Sequence, residues 1–326
     1  MSKTFRVFPS LLSIVFLVAF LDSCKAPNTA SPGSAIIRVG LLQHGSSIPL
    51  IVAQENGYFR KHGIDVRLVR VTADQQMPSL LRGDVDLISP SSFPVIFSTF
   101  QQNPGKVQCF LVGGESKTGD TLYGMVVKRN STYSTLGDLI GKTIGSASKF
   151  TTVNLRNVLR YRFHDRAQAT TVREVGDSSL LIEGLQKGAL DAAVVDQPAL
   201  SSSAFQGEFR VIERNFRAEY LFDPYWSGSG VVRTDWVKAN RARYEGFLDA
   251  IDDGLEACKK EPTETKEMFI RYFGLKGLTA EAIGMYVYPN ARFVPPDAFT
   301  DALTRMLVDN SLLAAKFNAY ELFYHQ

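Results

Sequence analysis

The chain has few of the residues that build metal and redox centres. Its 326 residues include only 3 cysteines and 4 histidines, and none of them are spaced as metal ligands or as a redox pair. Cys109 lies in a predicted strand and Cys258 near the end of a predicted helix. We interpret both as buried free thiols rather than a disulfide, although an exported protein would allow one. We therefore predict no metal and no cofactor.

Motifs of the common enzyme classes are also missing. The sequence contains no G-x-S-x-G, no phosphate-binding G-x-x-x-x-G-K-[ST], no H-E-x-x-H and no G-x-G-x-x-G after a strand. These patterns supply a nucleophile, a phosphate cradle, a zinc site and a dinucleotide site, respectively. We expect the protein not to be an enzyme.

The sequence has no large excess of positive or negative charge. Lysine and arginine number 36 against 33 aspartates and glutamates, which gives a formal net charge of +3. Removal of residues 1–23 would take away two positive charges and one negative charge and leave +2. This balance does not indicate nucleic-acid binding. The 45% hydrophobic content is that of an ordinary globular protein, and about 300 residues suffice for two domains with cores of their own.

A long hydrophobic run lies at the N-terminus. Lys3 and Arg6 precede the apolar residues 7–21, a run that is too short to span a bilayer comfortably and has the length of a signal-peptide core. An uncleaved anchor helix is the alternative. The run ends in Leu21-Asp22-Ser23-Cys24, which resembles the lipobox of bacterial lipoproteins.

The lipobox resemblance implies that residues 1–23 are a signal peptide and that Cys24 carries lipid as the first mature residue. Asp22 is unusual in that motif. Residues 24–34 are small, polar and rich in proline, as in a flexible tether. We expect an exported protein that faces the periplasm or the outside and is held to the membrane by its lipid alone.

An internal duplication is the most informative feature of the sequence. The pattern L-x-x-G-x-x-D followed by an apolar run occurs at Leu80–Asp86 and again at Leu185–Asp191. The register continues upstream, because Val39 precedes Asp86 by the same interval as Ile144 precedes Asp191. Each copy predicts a helix that ends at a glycine and turns into a buried strand. We therefore expect two lobes with the same plan.

Strands that are apolar at every position are typical of parallel sheets covered by helices on both faces. Alternating strand and helix signals predict a βαβαβ order, and hence an α/β fold, in the first 113 residues. The predicted strands are 35–42, 65–71, 85–89 and 107–113, and the predicted helices run from Ser47 to near Gly57, up to Arg82, and over 95–102. From Asp235 onward the apolar spacing predicts helices, with a break at Pro262, a stop at Gly274, a start after Pro296 and an amphipathic stretch over 307–317.

Several of these residues resemble those of a known family. The marks are A-x-E-x-G-Y-F-x-K-H-G-I-D-V at Ala53–Val66, L-x-x-G-x-x-D at both sites, and D-L-I-G-K-T-I-G at Asp138–Gly145. They are similar to the substrate-binding proteins of bacterial ABC importers for aliphatic sulfonates, taurine and nitrate, and to the related binders of thiamine pyrimidines. The resemblance covers the chain from about residue 36 onward.

This resemblance implies a type II periplasmic-binding-protein fold. Such a fold has two lobes, each a mostly parallel sheet flanked by helices, with the ligand cleft between the lobes. Because the second lobe is inserted into the first, we expect lobe 1 to comprise 35–120 and 223–326 and lobe 2 to comprise 121–222. The predicted crossings between the lobes lie at 117–122 and 221–226.

Loops at the carboxyl ends of the strands are the expected place for a ligand, because helix N-termini there present unpaired N–H groups. The residues of these loops and of the second crossing are rich in hydroxyl, charged and aromatic groups. The candidate ligand-binding residues are Gln43, His44, Ser46, Ser47, Ser91, Ser92, Ser148, Lys149, Thr151, Thr152, Asp196, Gln197, Tyr225 and Trp226.

Each candidate also has a structural interpretation. The serines and threonines are common helix N-caps, and a histidine such as His44 is more often a solvated loop residue than a ligand contact. Lys149, just before a helix, favours an anion site, but it is otherwise an ordinary surface lysine. Tyr225 and Trp226 either line the cleft or pack in the core between the lobes. The family's strand often ends in Trp-Asp-Pro, whereas here Gln197 separates Asp196 from the proline.

The function implied by the resemblance is solute capture by lobe closure and delivery to an ABC permease and its ATPase. The hydroxyls and Lys149 favour an anionic head such as a sulfonate, and Asp196 favours a ligand that also carries an amine, such as taurine. A flat heterocycle, such as a thiamine pyrimidine precursor or a flavin, is the alternative ligand, and a ligand-sensing lipoprotein is the alternative role. An enzyme of the fungal pyrimidine-synthase type gains little support. That enzyme carries a cysteine-rich iron-binding stretch, whereas this chain has only Cys109 and Cys258 besides Cys24. We expect a monomer that does not bind nucleic acid.

The lipobox interpretation predicts the behaviour of one variant. Cys24→Ser removes the thiol that would accept the lipid, so the variant should no longer incorporate labelled palmitate or partition into detergent. Metabolic labelling of both proteins measures this directly. Continued incorporation by the variant would rule out Cys24 as the lipidated residue.

Overall fold

A computed structural model describes residues 36–120, 122–176, 178–197, 199–201 and 207–323. The predicted signal peptide, Cys24 and the tether lie outside these residues. The strands are β1 (Ile37–Leu41), β2 (Val66–Arg70), β3 (Leu87–Ser92), β4 (Val107–Gly113), β5 (Tyr123–Lys128), β6 (Thr143–Ser146), β7 (Thr171–Glu174), β8 (Ala192–Asp196), β9 (Phe209–Arg214) and β10 (Gly228–Arg233). The helices are α1 (Ile48–Glu55), α2 (Tyr58–Lys61), α3 (Gln76–Arg82), α4 (Phe93–Gln102), α5 (Lys149–Phe163), α6 (Ser178–Gln186), α7 (Phe216–Tyr220), α8 (Thr234–Ala239), α9 (Arg241–Lys260), α10 (Pro262–Phe273) and α11 (Asp297–Asp309).

The strands form two five-stranded sheets of the same plan, in the orders β2-β1-β3-β10-β4 and β7-β6-β8-β5-β9. The α/β two-lobe fold predicted from the sequence is therefore confirmed. Both sheets are mixed, because β10 runs antiparallel to β3 and β4 and β5 runs antiparallel to β8 and β9. The antiparallel strand of each sheet is the one that follows a crossing between the sheets. The residue limits of the two lobes stay a prediction.

The aspartate of each repeat ties two parallel strands together. Asp86 Oδ2 accepts a hydrogen bond from the backbone N of Arg38 at 2.9 Å, and Asp191 Oδ2 accepts one from the backbone N of Thr143 at 2.9 Å. The two bonds are equivalent, since each joins the residue before one strand, β3 or β8, to the parallel strand beside it, β1 or β6. The glycines of the repeats, Gly83 and Gly188, have φ of 80° and 71°, as the sequence predicted for helix ends.

Each sheet has an apolar core on both faces. In the first sheet, neighbouring residues of β4 serve different cores, with Cys109 packed against one set of helices and Phe110 against the other. The ring of Phe110 lies 5.6 Å from that of Phe247 on α9, in an edge-to-face arrangement. Cys109 and Cys258 are free and buried, which confirms their interpretation as buried thiols, and burial raises the pKa of both to about 12.

Most predicted elements lie within a few residues of the observed ones, and β4 has the predicted limits. Pro262 opens α10, and Gly274, with φ of 66°, caps its end. The amphipathic helix expected over 307–317 is wrong. Helix α11 ends at Asp309, and Ser311 follows with φ of 57°, so the apolar side chains beyond it pack from a turn.

The two crossings between the sheets run side by side. They follow β4 and β9, and they pair through an antiparallel bridge in which the backbone N of Ser116 and of Tyr225 each donate to the other's carbonyl at 2.9 Å. A pair of adjacent extended strands is a suitable hinge, because small changes in a few backbone dihedrals rotate one lobe against the other.

Among residues 36–323, apart from the short gaps that the structure does not describe, no helix has both the length and the apolar character needed to cross a bilayer.

The repeat aspartates should stabilise the fold more than their neighbours do. Asp86→Ala leaves the Arg38 N–H without its partner in a buried setting, so we expect the free energy of unfolding to fall by roughly 1–3 kcal/mol. Asp84→Ala is the matched control, because the ion pair between Asp84 and Arg82 is exposed on both sides, and its effect should stay within about 0.5 kcal/mol. Urea unfolding measures both, and equal losses would contradict the assigned role.

Candidate ligand-binding site

A cavity of about 200 Å³ lies between the two sheets, at the carboxyl ends of their parallel strands. Loops of both lobes line it, together with the second crossing and a segment near the C-terminus. The lining residues with polar or aromatic side chains are His44, Ser46, Ser91, Ser92, Phe150, Thr151, Asp196, Arg217, Ser227, Ser229, Tyr286 and Tyr288. The volume lies below the range of roughly 300–1,000 Å³ typical of drug-sized ligands, so the cavity fits a small solute.

The structure brings together six of the residues singled out in the sequence. They come from four different loops, two in each lobe. The six are His44, Ser46, Ser91, Ser92, Thr151 and Asp196. Eight others do not line the cavity, namely Gln43, Ser47, Ser148, Lys149, Thr152, Gln197, Tyr225 and Trp226.

Several of these eight hold the loops in place. The hydroxyl of Ser47 donates to the carbonyl of Leu42 at 2.8 Å, and Thr152 Oγ1 lies 2.5 Å from Ser146 Oγ. Ser148 is the N-cap of α5, and its Oγ accepts from the backbone N of Thr151 at 3.2 Å. These residues fix the backbone at the edge of the cavity and have the N-cap or turn roles that serine and threonine often take.

Lys149 lies in solvent at the first position of α5. The next two residues of the helix, Phe150 and Thr151, are the ones that line the cavity. Successive positions of a helix point in directions about 100° apart, so a helix start that turns Phe150 and Thr151 inward leaves Lys149 outside.

Tyr225 and Trp226 pack in the core of the first lobe. The Trp226 ring lies 5.0 Å from that of Phe299, and its Nε1 donates to Glu115 Oε2 at 3.3 Å. Tyr225 is also buried, and its Oη donates to Asn154 Oδ1 on α5 at 3.1 Å. The second contact joins the two lobes, so Tyr225 serves the hinge rather than the wall of the cavity.

The cation of the cavity is Arg217, which the sequence analysis did not identify. Arg217 is only 7% exposed, and its guanidinium carbon lies 4.3 Å from the centre of the Tyr123 ring. Its Nη2 donates to Thr151 Oγ1 at 2.8 Å, and its Nε has no hydrogen-bond partner. Within the described residues, no carboxylate oxygen lies within the 4.0 Å that defines a salt bridge to it. A buried arginine with an unused N–H is prepared to bind an anion.

Aromatic side chains hold the Arg217 guanidinium in this position. The ring of Tyr123 lies against it, and the Tyr123 hydroxyl accepts from the backbone N of Arg217 at 3.1 Å. Phe150 approaches from the cavity side at 5.9 Å. Cation–π contacts compensate only part of the cost of removing the charge from water, so the remaining charge acts on whatever enters the cavity.

A strand signal could have located Arg217. Strand β9 runs in the same direction as β8, since both pair antiparallel with β5. Its carboxyl end therefore meets the same cavity as Asp196 at the end of β8. Arg217 lies three residues beyond β9, in the first turn of α7. The sequence analysis did not predict β9, because only part of this edge strand is buried and its apolar residues do not form a continuous run. Recognising β9 as a strand would have pointed to Arg217 at its carboxyl end.

His44 is neutral in the cavity. Its Nδ1 accepts from the backbone N of Ser46 at 3.3 Å and lies 2.5 Å from Ser46 Oγ, so the ring proton is on Nε2, which lies 3.4 Å from Tyr286 Oη. Burial lowers the pKa of His44, and the negative charge of Asp196 opposes that shift only in part. The centre of the neutral ring lies 5.1 Å from that of Tyr286, with the two planes tilted by 32°.

Two tyrosines from the C-terminal segment close the cavity. Tyr288 donates to the carbonyl of Ser46 at 2.6 Å, and its ring packs directly on Gly113, where an added Cβ would lie only 1.7 Å from Cε1. Burial raises the pKa of Tyr286 and Tyr288 above the ordinary value. Both hydroxyls therefore stay protonated and remain hydrogen-bond donors at neutral pH.

Asp196 gives the cavity a charge opposite to that of Arg217. It ends β8 and pairs in register with Tyr123 of β5. The cavity thus contains one arginine, one carboxylate, one neutral histidine and several hydroxyls. Across the described residues, no group of three or more His, Cys, Asp or Glu side chains could hold a metal ion. The site can therefore bind charges of both signs.

The fold is that of a two-lobed periplasmic binding protein. It is similar to the aliphatic sulphonate binding protein SsuA from Escherichia coli, with a TM-score of 0.69, 15% identity, and coverage of 89% of this chain and 98% of that one. The nitrate-binding protein NrtA from Synechocystis PCC 6803 gives a TM-score of 0.65 at 14% identity, covering 88% and 84%. The Candida albicans CA3427 gene product, described as having the generic periplasmic binding protein fold, gives 0.64 at 15% identity, covering 88% and 94%.

Comparison of the sequence with protein-family models identifies the family of the chain. The profile of the family described as NMT1/THI5 like matches residues 44–265, which is more than half of the chain. The protein therefore belongs to the NMT1/THI5-like family, in agreement with the resemblance found in the sequence. Comparison with curated proteins gives no match.

The lowered pKa of His44 predicts a loss of stability in mild acid. The unfolded histidine binds a proton below about pH 6.5 and the folded one resists it, so the stabilisation is present above that pH and is lost as pH falls. One such group changes the free energy of unfolding by at most about 1.4 kcal/mol per pH unit. In urea unfolding between pH 7.5 and 5, His44→Gln should show a smaller loss than the wild type. An equal pH dependence would mean that His44 is not held neutral.

Proposed function

We propose that this protein is a solute-binding lipoprotein of an ABC importer that captures a small anionic or zwitterionic solute. The observation that carries the proposal is the buried Arg217, whose Nε has no partner at a cavity shared by both lobes. The similar proteins are named for sulfonate and nitrate binding, which supports an anion of that size. The protein's task is then differential affinity between open and closed lobes, not bond chemistry.

Arg217 is the proposed partner of the anionic head. A sulfonate, nitrate or carboxylate oxygen would take the free Nε–H and complete the coordination that Thr151 begins. A hydrogen bond between charged partners contributes roughly 1.5–3 kcal/mol, which corresponds to about ten- to a hundredfold in affinity. The hydroxyls of Ser91 and Ser92 line the same cavity from the other lobe, so the anion would join the lobes as they close.

Asp196 is the proposed partner of a positive group on the solute. A carboxylate at the cavity disfavours a bare anion and favours a ligand that also carries an ammonium. The neutral His44 and the Tyr286 hydroxyl are close enough for the charge of Asp196 to act on both, and they add hydrogen-bonding groups without a second charge. A zwitterion of the taurine type satisfies both Arg217 and Asp196, and we therefore favour it over nitrate or a simple alkanesulfonate.

Closure would act through the paired crossings. The backbone bridge between Ser116 and Tyr225 and the hydrogen bond from Tyr225 to Asn154 of α5 lie next to the cavity. A ligand held by both lobes favours the arrangement in which these contacts form. The proposed partner of the closed form is a membrane permease with its ATPase, and the lipid on Cys24 would keep the protein near it.

A flat heterocycle is the second candidate. The rings of Phe150, Tyr286 and Tyr288 line the cavity, and Asp196 could pair with the amidine-like edge of an aminopyrimidine. The volume of about 200 Å³ favours the smaller solute over a flavin. A neutral heterocycle would not need Arg217 as the partner of an anion. Replacing Arg217 therefore distinguishes the two candidates.

Calorimetry on three variants tests the proposal. Arg217→Met should weaken taurine and ethanesulfonate alike, by at least tenfold, because both lose the anion's partner. Asp196→Asn should weaken taurine by at least tenfold and leave ethanesulfonate unchanged or slightly tighter. Lys149→Ala is the matched control, since Lys149 carries the same charge outside the cavity, and it should change neither affinity.

Two results would oppose the proposal. Full affinity of Arg217→Met for both solutes would remove the anion site, and an aminopyrimidine that binds this variant normally would favour the heterocycle. Loss of binding by misfolding is distinguishable, because replacing a buried charge with a well-packed apolar side chain is often neutral for stability. A thermal melt of each variant without solute provides that check.

A further inference from the structure

A second and larger cavity, of about 490 Å³, is lined in part by the second crossing. One wall is α5 of the second lobe, through Asn157, Arg160 and Tyr161, and the other is α11 of the first lobe. Its floor is formed by Tyr220 at the end of α7 and by Leu221, Phe222 and Tyr225 of the second crossing. We name this cavity the hinge groove. Its volume falls in the range of roughly 300–1,000 Å³ found for small-molecule sites, and it shares no residue with the solute cavity.

The floor of the hinge groove is aromatic. The Phe222 ring lies 5.2 Å from that of Phe299, and the Tyr225 ring lies 5.6 Å from it, both nearly perpendicular. Leu303 and Met306 of α11 extend this apolar surface along one wall. Aromatic and aliphatic surface at the bottom of a concave site favours a ligand with a flat apolar body.

Positive charge predominates at the rim. Arg160 and Arg305 line the groove from opposite walls, and Asp309 is its one acidic lining residue. Arg305 makes no ion pair or side-chain hydrogen bond among the residues that the structure describes, and Arg160 only donates to the neutral Asn157, at 3.0 Å. The charges of both arginines are therefore available to a ligand. A third cation, Arg162, lies 5.3 Å from the ring of Tyr220, which lines the groove.

We propose that the hinge groove binds a small amphipathic anion, an aromatic carboxylate or sulfonate, with its ring on Phe222 and Phe299 and its charge between Arg160 and Arg305. This site goes beyond the proposed solute binding and does not depend on it. The ligand needs both its anionic group and its aromatic ring. The apolar floor alone would bind a neutral ring equally well, and the exposed arginines alone would bind an ion only weakly, because salt screens their charges. Since its walls belong to different lobes, the occupant bridges them.

The test uses 8-anilinonaphthalene-1-sulfonate, an aromatic sulfonate whose fluorescence rises in apolar surroundings, titrated into the full chain. Arg305→Glu should weaken its binding at least tenfold, and Ala302→Trp, which fills the groove from an exposed position on α11, should abolish it. Lys276→Glu is the matched charge reversal at an exposed site outside the groove, and it should leave the affinity unchanged. Arg217→Met should also leave it unchanged.

The outcomes separate the two cavities. A loss in Arg217→Met together with normal binding by the groove variants places the probe in the solute cavity and overturns the proposal. Equal binding by all variants, or no saturable binding by the wild type, overturns it as well. Anilinonaphthalene, which lacks the sulfonate, should bind at least tenfold more weakly, and an equal affinity would overturn the anion requirement. None of these measurements uses the solute, so they test the hinge groove even if the proposed solute-binding function is wrong.

Discussion

The buried charge of Arg217 is the constraint on which the site depends. An arginine removed from water carries a large desolvation cost. Among the described residues, aromatic rings and the hydroxyl of Thr151 interact with the Arg217 guanidinium, and no carboxylate pairs with it. Such a cost is tolerated when another interaction compensates it. In the proposed function the compensation comes from the solute, because an anion would fill the one position of the guanidinium, Nε, that has no hydrogen-bond partner. The unpaired guanidinium would then account both for the preference for anions and for the strength with which they bind.

The duplicated plan of the two lobes explains how loops distant in sequence meet. Each lobe repeats a helix, a glycine turn and an aspartate that fixes its strands through a backbone N–H. Because both sheets direct the carboxyl ends of their parallel strands to the same space, four loops and the start of α7 converge there. The antiparallel strand of each sheet, β5 or β10, is the structural consequence of the two crossings, which bring the chain into the second lobe and return it.

Helix α5 connects the two cavities and the second crossing. Its first turn presents Phe150 and Thr151 to the solute cavity, its middle accepts the hydrogen bond from Tyr225 of the crossing, and its next turn forms a wall of the hinge groove. Movement of this one helix relative to the first lobe would alter all three contacts. The arrangement is consistent with a protein whose work is a change of lobe position, since packed elements move as units between discrete arrangements.

The sequence by itself determined the α/β class, the duplication, most helix and strand positions and the four loops that carry His44, Ser46, Ser91, Thr151 and Asp196. These follow from local rules, because apolar runs, glycine stops and strand ends are written in neighbouring residues. The tertiary structure alone decided which side chains reach the cavity. Lys149 and Arg217 are both cations near the ends of parallel strands, and only packing turns one to solvent and buries the other against Tyr123. The same holds for Tyr225 and Trp226, which fill a core, and for Tyr286 and Tyr288, which come from a distant segment. Such choices depend on contacts between residues far apart in the chain, and no local pattern records them.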